Sequence, residues 1–209
     1  MVGRVGIIWD TPVMFTRLVE DCGYISELIT PHLLAAPFFR RHYSGIIIPG
    51  GFAHSSCCLV LPALRACEDR IWRYIQGGGT VLAFGAGADK PDAYDWLPVS
   101  LRYRFGFNEG EAVSEGGAED ILSCITEDCS DIVSIDGIFE TSDDYSSALQ
   151  SASDDKGYSG PVIALQVRGS PVMVEYRSGT GRIILTTLHE YPSRSFLTKI
   201  FPSDSETLL

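Results

Sequence analysis

Several features are scarce in these 209 residues, and each scarcity removes a class of function. No apolar run approaches the roughly 20 residues needed to cross a bilayer, and mean hydropathy is only +0.10. The first strand-like segment begins at Arg4, with no basic-then-apolar leader ahead of it. A soluble, cytoplasmic protein without a membrane partner is therefore expected. Basic residues are few, 16 Lys and Arg against 27 Asp and Glu, giving a net charge of −11. A phosphate-binding surface needs clustered Lys and Arg, so no nucleic-acid partner is expected. Cys-x-x-Cys pairs are missing. Cys22, Cys57, Cys58, Cys67, Cys124 and Cys129 are even in number, but a chain of this length without an export signal points to reduced thiols. His54 stands near Cys57 and Cys58 but lacks a matched second half, so no metal site is expected. A G-x-x-x-x-G-K-[ST] loop is absent, because Lys90 follows Asp89, and the glycines at 77–79 precede a strand where a dinucleotide fingerprint would follow one. No cofactor is expected.

With 45% apolar residues, the chain can bury a sizeable core as a single domain over 1–209. Its acidity is concentrated. Residues 109–156 hold 14 of the 27 acidic side chains and one basic residue, Lys156, while the remainder is nearly neutral. The stretch 99–156 reads as an acidic, β-rich, partly irregular insertion, either a solvated surface or a docking face for a basic partner or a cation.

The order of elements is the stronger signal. "RVGIIWD" (4–10) is a short apolar strand, and "TPVMFTRLVEDCG" (11–23) follows as a helix with a Thr-Pro start and a Gly stop. "YISELIT" (24–30) and "SGIIIPGG" (44–51) are further strands, separated by a short helix or loop at 31–43. A long helix is expected over about 56–76, with Val60, Leu64, Cys67, Ile71 and Ile75 on one face, and Cys67 a small core residue. "TVLAF" (80–84) is the next strand, three strands follow over 161–189, and "SRSFLTKIF" (193–201) closes the chain as a helix. Strands alternating with helices imply a three-layer α/β fold with a mostly parallel central sheet. Ligands then bind beyond the carboxyl ends of the strands, here the loop at 49–54 and Gly85-Ala86-Gly87.

The second loop poses a question. "VLAFGAGAD" has the strand-to-turn shape of a nucleophile elbow, yet its tip is Gly85, which has nothing to attack with. Strained elbow geometry that glycine adopts readily would account for it, as would room made for a ligand.

"IIIPGGFA", a long helix, "GGGTVLAFGAGAD" and a late "GRIILTTLHEYP" together resemble the class I glutamine amidotransferase-like superfamily, nearest the biotin-protein-ligase N-terminal-like domain, over most of residues 4–192. The resemblance implies a flavodoxin-like sheet. It places Gly50 and Gly51 where backbone N–H groups meet an oxyanion, with Phe52 and Ala86 as further ligand-binding candidates, Gly85 at the nucleophile's position and His189 at the general base's. The pattern's acid, two residues after the base, is here Tyr191; Glu190 follows His189 directly and in a strand would face the other way. Amide hydrolysis through an acyl-enzyme needs an activated thiolate or alkoxide. The resemblance therefore implies a catalytically diverged protein, without glutaminase activity, that binds a small molecule or partner protein in the former active-site cleft. The alternative is a hydrolase or transferase that uses Cys57 or Cys58 as a relocated nucleophile with His189.

Overall fold

The computed structural model describes residues 2–54, 59–99, 101–114, 125–126, 132–140 and 161–209. Its centre is a nine-stranded sheet. The strands are β1 (Arg4–Ile8), β2 (Ile25–Ile29), β4 (Gly45–Ile48), β5 (Thr80–Ala83), β6 (Arg102–Ser114), β7 (Ile132–Glu140), β8 (Val162–Val167), β9 (Ser170–Ser178) and β10 (Gly181–Thr186), in the order β2-β1-β4-β5-β10-β9-β8-β6-β7. Two short strands, β3 (His42–Tyr43) and β11 (Thr207–Leu208), pair separately.

The sheet is parallel from β2 to β10 and antiparallel from there to β7. The expected mostly parallel sheet is thus corrected to a mixed one. The reason lies in the connections: β8, β9 and β10 are joined by short turns, at Arg168–Gly169 and Gly179–Thr180, and so short a link can join only antiparallel neighbours. Two strands of the acidic stretch, β6 and β7, belong to this same sheet; most of that stretch's acidic residues lie outside the described residues.

Side-chain alternation along the parallel strands divides the core in two. Ile46 and Ile48 of β4, Val81 and Ala83 of β5, and Ile183 and Leu185 of β10 pack toward α2 (Pro31–Ala35), α3 (Val60–Ala66) and α4 (Glu68–Gln76). Ile47, Leu82 and Ile184 pack toward α1 (Met14–Asp21) and α5 (Arg194–Ile200). Such strands, apolar on both faces, are what a sheet covered by helices on both sides requires. Two of the helix starts, those of α2 and α5, follow capping chemistry. Thr30 accepts from the Leu33 N–H at 3.3 Å ahead of Pro31, and Ser193 accepts from the Phe196 N–H at 3.0 Å.

The long helix expected over 56–76 is two helices, and residues 55–58 lie outside the described residues. The break falls at Cys67, whose backbone (φ −119°, ψ 16°) leaves the helical region. Its Sγ donates to Leu34 O at 3.3 Å, and the Arg70 guanidinium reaches Leu34 O and Ala36 O at 2.6 and 3.1 Å. The break thereby satisfies carbonyls that the short helix α2 leaves without partners. Cys67 is buried as expected, and burial pushes its thiol pKa up. No helix among the described residues is long and apolar enough to cross a membrane.

Where β5, β10 and α4 meet, a Cβ on Gly181 would overlap the carbonyl oxygen of Ile75, a backbone atom that cannot swing aside. Gly181→Ala is expected to cost about 1–3 kcal/mol by chemical denaturation. Gly106→Ala, with nothing within 4 Å of the new methyl, is expected to cost less than about 1 kcal/mol.

Candidate functional site

The carboxyl ends of β1, β4, β5 and β10 open on a cleft of about 400 Å³, within the roughly 300–1,000 Å³ usual for small-molecule sites. Gly50, Gly51, Gly85, His189 and Glu190 all line it. The loops that sequence alone selects are therefore brought together, although their tips span 140 positions of the chain.

Two glycine turns form the floor. Gly51 (φ +87°) donates its N–H to Gly85 O at 2.8 Å, and Ala53 N–H donates to Ala86 O at 3.1 Å. Gly87 (φ +65°) lies so close to the opposite turn that a Cβ there would come within 2.6 Å of Gly51 Cα. The interlock corrects part of the expected oxyanion site: the Gly51 N–H is spent on Gly85 O. Phe52 and Ala86 do not reach the cleft either. Both are fully buried, Phe52 edge-on to Tyr94 and Trp96 at centroid distances of 5.4 and 6.5 Å. Cys57 and Cys58 lie outside the described residues.

Gly85 is not among the glycines with positive φ, so backbone strain does not explain it. The space above its Cα is occupied by Asp136. A Cβ on Gly85 would overlap both carboxylate oxygens and the carboxyl carbon of Asp136, so neither a nucleophile nor a ligand atom can sit there while Asp136 does. The antiparallel half of the sheet delivers this residue. Pairing runs from β10 through β9, β8 and β6 to β7, and β7 then bonds back to the segment that follows β10. Asp136 N–H donates to Thr187 O and His189 N–H to Ser134 O, each at 2.9 Å, with Ile135 bridging Leu188. The circuit closes, and its closing strand lies over the elbow.

Asp136 is 6% exposed, and its Oδ1 has no hydrogen-bond partner. Burial pushes its pKa up to about 6, against the opposing pull of the Tyr103 hydroxyl, the His189 imidazole, and the Asp136 and Gly87 N–H groups. Beneath it lies an aromatic platform. Tyr103 donates to Asp136 O at 2.8 Å and Tyr94 donates to Phe84 O at 2.9 Å, so two buried hydroxyls pin the carboxylate's strand and the elbow's strand. Tyr94 also packs on Tyr103 and Phe139 at 5.9 and 5.5 Å. Arg65 bonds Asp95 and Asp92 at 2.7 and 2.9 Å, tying the 92–95 segment, and Tyr94 with it, to α3.

His189 is exposed at the mouth, edge-on to Phe107 at 6.2 Å. Phe107 reaches it because β6 slips register between Phe105 and Asn108, a bulge that re-aims the chain. Glu190 does not face away as a continuing strand would require. The strand ends at Thr186, so the period-two rule lapses before 189–190, and Glu190 Oε1 accepts the Ser134 N–H at 2.7 Å from the cleft wall. No group of three metal-ligating side chains occurs among the described residues.

No family model and no curated protein matches the chain. Solved structures do. It is similar to the cytoplasmic protein STM1381 of Salmonella typhimurium LT2, with TM-score 0.51 and 13% identity over 94% of this chain and 92% of the other. It is also similar to the cytoplasmic protein STM3548 of Salmonella typhimurium, with TM-score 0.52 and 12% identity over 96% and 94%. A β-galactosidase from Bacillus circulans sp. alkalophilus aligns with TM-score 0.53 and 11% identity over 96% of this chain, but over only 30% of its own length. These likenesses establish an α/β fold with a large sheet flanked by helices, and nothing finer.

Two tests follow from the geometry. Gly85→Ala is expected to destabilise by about 1–3 kcal/mol. In an Asp136→Ala background the same substitution should cost less than about half as much, giving a coupling measurable by a denaturation double-mutant cycle. The second concerns pH. Since the folded-state pKa of Asp136 is raised above 3.8 to about 6, its contribution is fully present below pH 4 and is lost as pH rises through 6. The stability of wild type relative to Asp136→Asn should therefore fall by about 2–3 kcal/mol between pH 4 and 7.

Proposed function

We propose that the chain is a catalytically diverged glutamine amidotransferase-like protein, flavodoxin-like in its parallel half and nearest the biotin-protein-ligase N-terminal-like domain, which binds a small molecule in the cleft and does not hydrolyse glutamine. One observation carries the reading: the space a nucleophile would need above Gly85 is filled by the buried carboxylate of Asp136. Two further facts support it. The Gly51 N–H is unavailable to an oxyanion, and among the described residues no Cys, Ser or Thr lines the cleft with His189 to be deprotonated by it. A carboxylate is a poor nucleophile toward an amide, so Asp136 does not replace the thiol. The cleft's walls remain large and partly apolar, as a binding site needs. A cytoplasmic location belongs to the same proposal, supported by the names of the two similar Salmonella proteins.

The expected result is no ammonia release from glutamine above the buffer blank by coupled assay. Gly85→Cys should remain inactive, since the new side chain overlaps Asp136. Sustained turnover by wild type, abolished by thiol alkylation, would overturn the reading in favour of a relocated nucleophile at Cys57 or Cys58.

A further inference from the structure

The cleft's lining is unusual in sign. Among the described residues it contains two carboxylates, Asp136 and Glu190, no Lys and no Arg, and one basic side chain, His189. Both acids hold an oxygen out of water with no hydrogen-bond partner, Oδ1 of Asp136 and Oε2 of Glu190. A buried acceptor left unpaired is costly, and a buried charge more so, unless a donor or counter-charge arrives. The two orphans are independent, since they come from different segments, β7 and the stretch beyond β10.

The rest of the wall combines glycines and aliphatic side chains with five aromatic rings. Trp9 lines the interior, and Phe107 and Tyr191, 72% and 53% exposed, stand at the mouth. Two aromatic rings held in water beside the buried Asp136 carboxylate and the half-buried Glu190 form the arrangement that recognises a cation. The ring faces attract positive charge, and the carboxylates accept its N–H donors. An anionic ligand would meet repulsion from both acids. A neutral polyol could donate to them but would leave their charge unbalanced.

Resting on the reading of this cleft as a ligand-binding site, we propose that its ligand is a small organic cation, an amine bound as its ammonium form, with the nitrogen between Asp136 and Glu190 and the apolar remainder against Trp9, Phe107 and Tyr191. Asp136 then has a positive role at the elbow: the residue that displaces the nucleophile holds the ligand's charge.

The test uses the full chain and three probes of one shape, benzylammonium, benzyl alcohol and benzoate, titrated by calorimetry at neutral pH. Benzylammonium is expected to saturate and to bind at least about tenfold more tightly than either other probe, the scale of one charge-assisted contact. Asp136→Asn should weaken benzylammonium by about tenfold or more and leave benzyl alcohol unchanged. Glu190→Gln keeps an acceptor for the Ser134 N–H and should weaken benzylammonium in the same direction, which keeps the test decisive if Asp136→Asn folds poorly. Equal or tighter binding of benzyl alcohol or benzoate would overturn the cationic ligand, as would failure of benzylammonium to saturate by about 10 mM, a weak-binding limit well above typical site affinities. Benzoate or benzyl alcohol held in the cleft would still leave a ligand-binding site standing. Glutamine turnover in the same preparation would overturn the underlying reading itself.

Discussion

The contact between the Asp136 carboxylate and the bare Cα of Gly85 is the constraint around which the rest of the site is arranged. Glycine at the elbow is usually explained by its own backbone, but here it is explained by a neighbour. The neighbour arrives because the antiparallel half of the sheet curls until β7 bonds to the segment after β10. A hydrogen-bonding pattern far from the elbow in sequence thus determines which side chain the elbow can carry.

Holding a carboxylate in that position costs free energy, and the surroundings show how the cost is contained. Burial raises the acid's pKa, while the Tyr103 hydroxyl, the His189 imidazole and two N–H groups pull the other way and hold it at about 6. Near neutral pH the group is therefore largely ionised in a place with little water. The platform of Tyr94, Tyr103 and Phe139 beneath it is rigid, because each tyrosine both packs on its neighbours and spends its hydroxyl on a backbone carbonyl. A rigid floor with an incompletely satisfied charge is preorganised for a ligand rather than for collapse.

Much of the parallel half is legible in the sequence, since β1, β4 and β5 are short apolar runs that end at a turn, and β4 and β5 are buried on both faces. The gathering of Gly50, Gly51, Gly85 and His189 follows from the same order of elements, because carboxyl ends of parallel strands meet at one edge. Asp136 is a different matter. In "IVSIDGIFE" it occupies the polar phase with Ser134, as a solvent-facing residue of a half-buried strand would, and it is one acid among 14 in its stretch. Its burial arises from the closing of the sheet, a long-range event with no local signature. The same holds for Glu190, whose facing depends on where β10 ends, and for Gly51, whose N–H is consumed by a turn 34 positions away. The helix break at Cys67 was hidden for a related reason: apolar spacing runs continuously through it, and only the carbonyls of α2 reveal its use.

The central claim is local, and a local probe reaches it. The Hα protons of Gly85 lie against the Asp136 carboxylate, so their NMR resonances should shift with pH, with a midpoint near 6, and this titration should vanish in Asp136→Asn. Gly85 resonances that stay flat across pH 4–8, or that titrate unchanged in Asp136→Asn, would show that Asp136 does not occupy the elbow.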